Sequence, residues 1–272
     1  MTEASSLCRE FNNTKAEISL TKIDLTGKHA VVTGGSSGIG AAVVRTLASA
    51  GASVTVLSRQ RAHSAEDETM YDDPKVDFIE LDVADSAAVT SVFAKVAKTK
   101  GIDIAVLSAG VLLAGTLLET DDETWRRTMA VNLDGLFYTT RASVGHMMAQ
   151  GRGGKVVSIG SISGYRGNQG FAAYCTSKGG ALNFTRQVAM DYAAHGINVN
   201  AVAPGFITTP MTDIYNKDIK DMLAAQTPDG KWGTAQQIAD SVLFLSSSLA
   251  DHIHGQSLLV DGGWTLGVYA QF

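Results

Sequence analysis

The chain has 272 residues, 45% hydrophobic and 18% charged, with a formal net charge of -5 at pH 7. That balance suits a globular α/β domain with a substantial core and offers nucleic acid no strongly basic stretch. No apolar run reaches the ~18 residues a membrane span needs, and with only Cys8 and Cys175 a disulfide framework is not expected, so a cytoplasmic protein without a membrane partner is.

Residues 1–24 carry Glu3, Glu10 and Glu17 and lack a long apolar core, which argues against a secretory signal. They read as an N-terminal extension, loose, packed on the surface or engaged in a subunit contact. One domain is expected from residue 25 to 272. It opens on His29–Gly40, HAVVTGGSSGIG: a short apolar strand at Ala30–Val32, a glycine-rich turn, and an amphipathic helix from Ile39 to about Ala50. Further short apolar strands are predicted at 52–57, 76–81, 104–107, 155–159, 197–202 and 257–260. Helical spacing marks 85–98, where Val89, Val92, Phe93 and Val96 form one face, and also 121–148, 174–194 and 234–246. Gln60–Pro74 is polar and charged, so that crossover is expected to be short, irregular or exposed. Ile207–Trp232 fits neither period and reads as a flap or a surface excursion.

Buried strands alternating with helices predict a three-layer, doubly wound, mostly parallel sheet of seven strands with helices on both faces, a Rossmann-type α/β fold. Ligands in such sheets sit beyond the carboxyl ends of the strands. Gly34, Ser58, Asp82, Gly110, Ser161 and Pro204 all fall there, so one crevice is expected. Gly34, Gly38 and Gly40 leave no Cβ between the turn and a phosphate, which the first helical amides can then face. An adenine ribose with a free 2′-hydroxyl is usually held by a carboxylate after the second strand. Ser58 stands there instead, with Arg59 next, and a guanidinium suits a 2′-phosphate, so NADP(H) is the expected cofactor. Asp82 is placed either to accept from the adenine amino group or to cap the next turn.

Tyr174 and Lys178, four apart, share a helix face. An ammonium and a cationic nicotinamide beside the phenol are expected to lower its pKa, so that it can give a proton to a carbonyl or take one from an alcohol. Ser161 follows the fifth strand, where a hydroxyl can hold the substrate oxygen; Ser158 and Ser163 are its competitors. Asn132, between Val131 and Leu133, needs partners. A water shared with Lys178 and a bond to nearby backbone are both open.

Together these motifs resemble the short-chain dehydrogenase/reductase family, over roughly Leu25–Gly263. The matching residues are TGGSSGIG at Thr33–Gly40, VNLDG around Asn132, Ser161, YCTSK at Tyr174–Lys178, PGFITTP at Pro204–Pro210 and GQSLLVDGG at Gly255–Gly263. The resemblance implies a proton relay of Asn132, Ser161, Tyr174 and Lys178. It implies that Lys178 also holds the nicotinamide ribose, that Ile207 meets the carboxamide and Thr209 the phosphates, and that Ser36, Ser37 and Ile39 line the pyrophosphate turn. Val83, Ser108, Ala109, Gly110, Pro204 and Gly205 count with the cofactor contacts. A homotetramer or homodimer is implied too, and no metal is. One motif departs: Leu107 and Ser108 precede Ala109–Gly110 where the family usually shows two asparagines, the first of which steadies the sheet.

Candidate pocket walls are Leu112, Leu113, Ile162, Tyr165, Phe171, Phe206, Met211 and Tyr215. They suit a small-molecule ketone or secondary alcohol carried on a hydrophobic or aromatic body, whereas Arg166, Asn168 and Gln169 could meet polar groups and leave a sugar or a small keto compound open. The expected activity is NADPH-dependent carbonyl reduction. Its rivals are NAD-dependent alcohol oxidation and a catalytically silent nucleotide-sensing or scaffold protein.

Overall fold

The computed structural model describes residues 22–267; the N-terminal extension expected before the domain lies almost wholly outside them. Strands β1 (His29–Thr33), β2 (Ser53–Ser58), β3 (Val76–Glu80), β4 (Ile104–Leu107), β5 (Gly154–Ile159), β6 (Ile197–Pro204) and β9 (Ser257–Val260) form one sheet in the order β3-β2-β1-β4-β5-β6-β9. Every neighbouring pair is parallel, so the expected "mostly parallel" sheet is wholly so. The two-residue strands β7 (Ile207–Thr208) and β8 (Gly233–Thr234) pair separately and pin the ends of the segment expected to be a flap.

Strand side chains alternate between two cores, as the period of two requires. Ala30, Val32, Val54, Val56, Ile104 and Val106 point into one, against Val43 and Leu47 of helix α1 (Gly38–Ser49) and Ile238 and Val242 of α8 (Ala235–Leu245). Val31, Leu57, Ala105, Leu107, Val156 and Val199 point into the other. There they meet Phe93 of α3 (Ser86–Lys100), Met147 of α5 (Gly135–Gln150) and Val188 of α6 (Ala172–Tyr192). Leu107 is buried in this second core and its strand stays in register with Thr33 and Ser158, so packing does the work that an asparagine amide does elsewhere in the resembled pattern.

Side-chain caps start several of the helices. Asp85 accepts from Ala87 and Ala88 N–H ahead of α3, Asp121 from Thr124 N–H ahead of α4 (Asp122–Met129), and Thr234 with Gln237 forms a capping box on α8. Two expectations need correction. The single helix predicted over 121–148 is α4 and α5 joined through a π-turn at Ala130–Asp134, which holds Asn132; a wide turn leaves no trace in the spacing of apolar residues. The expected flap is not irregular throughout, because Asn216 caps a helix, α7 (Lys217–Ala225), inside it. The Gln60–Pro74 crossover holds only the four-residue helix α2 (Ala65–Glu68) and one 3-10 turn.

Candidate active site

After β1 the chain turns to one side for β2 and β3, and later to the other for β4, β5 and β6. The crevice opens where those directions part, at the carboxyl ends of β1 and β4. It is a cavity of about 570 Å3 that runs from Arg59 and Asp82 to Met211 and Tyr215.

At one end lies the glycine turn. Gly34 has φ +66° and donates its N–H to Leu57 O at 2.8 Å. A Cβ there would come within 2.7 Å of Ala109 backbone, so glycine lets the two strand ends close together. Gly38 has φ +52° at the start of α1, and a Cβ on Gly40 would run into Gly34 O. Ser37 stands at the N-cap in extended conformation without a side-chain cap bond, so the first amides of α1 are left to the cavity, which Ser36, Ser37, Gly38, Ile39 and Gly40 line. Ser58 ends β2 with a buried hydroxyl that has no partner among the described residues. Arg59 beside it is exposed and makes no ion pair among the described residues. Asp82 accepts from Ala84 N–H at 2.9 Å, so the turn-capping role is filled while the side chain still lines the cavity. Val83, Ser108, Ala109, Gly110, Pro204, Gly205, Ile207 and Thr209 complete this part of the wall.

These features fit a dinucleotide phosphate: a side-chain-free cradle, an uncapped helix start, and a buried hydroxyl and free guanidinium where a 2′-phosphate would fall.

At the other end α6 presents Tyr174 and, one turn on, Lys178. Lys178 Nζ donates to Ile159 O at 2.8 Å and lies 5.7 Å from the centre of the Tyr174 ring. Ser161, the residue after Gly160 at the end of β5, accepts from Ser163 N–H at 3.1 Å and stands beside the phenol. Burial pushes the Tyr174 phenol up to about 12, with the Ser161 hydroxyl pulling the other way. Burial also lowers the Lys178 ammonium to about 8. The direction is opposite to the downward shift expected with a cationic nicotinamide beside the phenol, because desolvation outweighs the Ser161 hydroxyl.

Asn132 lies behind the cavity. Its Oδ1 accepts from Val111 N–H at 2.8 Å, and its Nδ2 donates to Val111 O at 2.9 Å and Ser177 Oγ at 3.1 Å. Of the two readings left open, the backbone bond is the one observed. Lys178 stands near without touching: a Cβ on Gly110 would be 3.4 Å from Asn132 Oδ1 and 3.9 Å from Lys178 Nζ. Of the rival serines, Ser158 is buried against Thr185 Oγ1 at 3.0 Å, whereas Ser163 lines the cavity with its hydroxyl accepting from Asn168.

Among the expected pocket walls, Leu112, Ile162, Phe171, Phe206, Met211 and Tyr215 line the cavity, and Leu113 and Tyr165 do not. Tyr165 is turned outward beyond the Ile162–Gly164 turn, its hydroxyl donating to Ser257 O at 3.3 Å. Arg166 and Gln169 are likewise off the wall, and Asn168 is on it. Gln60 and His63 were not anticipated; both line the mouth beside Arg59, in a crossover whose irregular path no periodicity reveals. No described helix is long and apolar enough to cross a membrane.

A family model described as enoyl-(acyl carrier protein) reductase matches residues 34–265. The chain is 39% identical over 244 residues to 3-oxoacyl-[acyl-carrier-protein] reductase FabG of Escherichia coli, covering 89% of this chain and 98% of that one. It is 37% identical to galactitol 2-dehydrogenase (L-tagatose-forming) of Cereibacter sphaeroides, covering 90% and 98%. A crystal structure of a putative 2-deoxy-D-gluconate 3-dehydrogenase from Agrobacterium tumefaciens with bound NADP superposes with a TM-score of 0.83 at 37% identity, over 91% of this chain and all of that one. With the glycine cradle, the Tyr174–Lys178 pair and Ser161 in one crevice, this chain belongs to the short-chain dehydrogenase/reductase family of oxidoreductases.

Proposed function

We propose that this oxidoreductase reduces a ketone with NADPH, or in reverse oxidises the matching secondary alcohol, with Tyr174 as general acid and base. The observation that carries the reading is that one cavity joins the glycine cradle to a phenol flanked by Ser161 and Lys178. NADP(H) is supported by the partnerless Ser58 hydroxyl and the exposed Arg59, and by the NADP held in the Agrobacterium relative.

When bound, the nicotinamide cofactor supplies or accepts the hydride. The amides opening α1 hold the pyrophosphate, Ser58 and Arg59 the 2′-phosphate, Asp82 and Val83 the adenine end, and Ile207 and Thr209 the far end. Ser161 orients the substrate oxygen. In reduction the Tyr174 O–H bond breaks as a new O–H bond forms on that oxygen; in oxidation the phenolate takes the proton back. The phenol is protonated near neutrality and burial raises its pKa further, so it can serve as the acid in reduction. Lys178 supports the phenolate electrostatically. Asn132 supports the pair from behind through a space of about 10 Å3 that it shares with Lys178, close to the size of one water. The same proposal includes a homotetramer, and a cytoplasmic setting on the scarcity of cysteine.

Replacing Tyr174 by Phe tests it. NADPH-dependent turnover of ketones should fall at least ~100-fold, the usual scale for losing a positioned acid. Fluorescence titration should still show NADPH bound, and bound more tightly than NADH. Wild-type turnover in Tyr174→Phe overturns the proton donor, and equal affinity for the two cofactors overturns the 2′-phosphate site.

A further inference from the structure

One wall of the substrate end is a run of aromatic rings. Tyr174 meets Phe171 edge-on with centroids 6.5 Å apart, and Phe171 meets Tyr215 in the same way at 6.5 Å. Behind them Trp232 packs on Tyr215 at 6.0 Å and on Phe206 at 5.5 Å, and Trp264 packs on Phe206 at 5.5 Å. Phe171, Tyr215 and Phe206 face the cavity while the two tryptophans brace them. Trp232 Nε1 also donates to Lys220 O at 2.9 Å, which ties α7 to the wall. The rings are thus fixed by packing within the chain.

Charge at this end is as telling as shape. The basic side chains lining the cavity are Arg59, His63 and Lys178. The first two lie past β2, and Lys178 is engaged with Ile159 O. Two further cations stand near the wall without lining the cavity. Arg166 stacks 5.1 Å from the centre of the Trp264 ring and donates to Trp264 O, and Lys220 stands 5.7 Å from the Trp232 ring and 3.3 Å from Asp213. A carboxylate bound against Phe171 and Tyr215 would leave water without a counter-ion. Ser163 and Asn168, which line the same end, are neutral. Tyr215 is a neutral phenol near neutrality and adds no charge either, and burial raises its pKa further.

We infer that the substrate is an uncharged ketone, or its alcohol, with a flat aromatic body that packs against Phe171 and Tyr215, and that Tyr215 sets this preference. The inference rests on carbonyl reduction as proposed above and specifies its substrate class. It separates this site from one built for a carboxylate, which needs a counter-ion beside it.

A matched pair of ketones tests it: 4-methylacetophenone and 4-acetylbenzoate differ chiefly in a carboxylate, and butan-2-one removes the ring. With NADPH, kcat/KM for 4-methylacetophenone should exceed that for each of the others by about tenfold or more, the scale of one or two aromatic contacts. The ratio of 4-methylacetophenone to butan-2-one should persist in Tyr215→Phe and fall about tenfold in Tyr215→Leu. Quenching of intrinsic tryptophan emission should report tighter binding of 4-methylacetophenone than of 4-acetylbenzoate without any turnover. Equal or better use of 4-acetylbenzoate, or an unchanged ratio in Tyr215→Leu, overturns the inference while carbonyl reduction stands. If no ketone is reduced but quenching still separates the pair, the reduction reading falls and the aromatic site stands; quenching that fails to separate them overturns the site.

Discussion

Tyr174 and Lys178 respond to the same burial in opposite senses. The phenol rises to about 12 because its charged form is the deprotonated one, and the ammonium falls to about 8 because its charged form is the protonated one. The consequence for rate has a definite sign. In the proposed mechanism Lys178 is charged below pH 8 and steadies the negative charge that Tyr174 acquires on giving up its proton. Above pH 8 Lys178 loses its proton, the phenol still holds its own, and proton donation becomes harder. Reduction should therefore be level from about pH 6 to 7.5 and decline as pH rises through the Lys178 value near 8. In Lys178→Met the residual rate should be low and should lack that decline. Stopped-flow single turnovers across pH, with cofactor saturating, check both. A wild-type profile that is flat to pH 9.5 would remove the electrostatic role given to Lys178.

At the scale of the elements, the proposal rests cofactor binding on the turn from β1 into α1. A methyl group on Gly40 would strike Gly34 O and crowd Gly35, both backbone, so no rotamer change relieves it. Gly40→Ala should lower stability to urea by about 1–3 kcal/mol, the usual cost of overpacking, and weaken NADPH binding at the same time. Ser37, the residue that opens α1, offers a control: its side chain makes no cap bond, so Ser37→Ala should leave stability to urea close to wild type. Gly40→Ala folding and binding like wild type would show that the turn opens without cost. This element was legible in the sequence because its chemistry is local: Gly34, Gly38 and Gly40 reach backbone angles and close approaches that other residues cannot. The seven strands were legible for a similar reason, each being a short apolar run, with the inner ones β1, β4 and β6 buried along their whole length. What periodicity could not show was the π-turn that carries Asn132, since one widened turn leaves the apolar spacing on either side intact. Nor could it show the wall positions of Gln60 and His63, the outward turn of Tyr165, or the rise of the Tyr174 pKa. Those depend on which loops meet in space and how much water they exclude.

For the whole molecule, the last strand poses the question of assembly. Strands buried on both faces are apolar at successive positions, and Leu258 and Leu259 of β9 follow that pattern. Yet among the described residues β9 is the edge of the sheet, paired only with β6, and both leucines are 36–40% exposed although they point to opposite faces. An apolar edge strand left open invites pairing or aggregation. Phe137 on α5 and Trp125 on α4 are also exposed, at 40% each, so apolar surface occurs at two separate places on the chain. Two distinct self-contacts generate a closed tetramer, whereas one gives a dimer. The substrate end lies close to the first of these: Ser257, which opens β9, accepts the Tyr165 hydroxyl, and Arg166 beside it stacks on Trp264. Leu258→Lys combined with Leu259→Lys should convert a tetramer into a species of half the mass in sedimentation velocity. It should leave NADPH binding largely in place, because no β9 residue lines the cavity. A wild-type chain that sediments as a monomer at micromolar concentration would refute the assembly. A tetramer that survives both substitutions would place its contacts elsewhere than on β9.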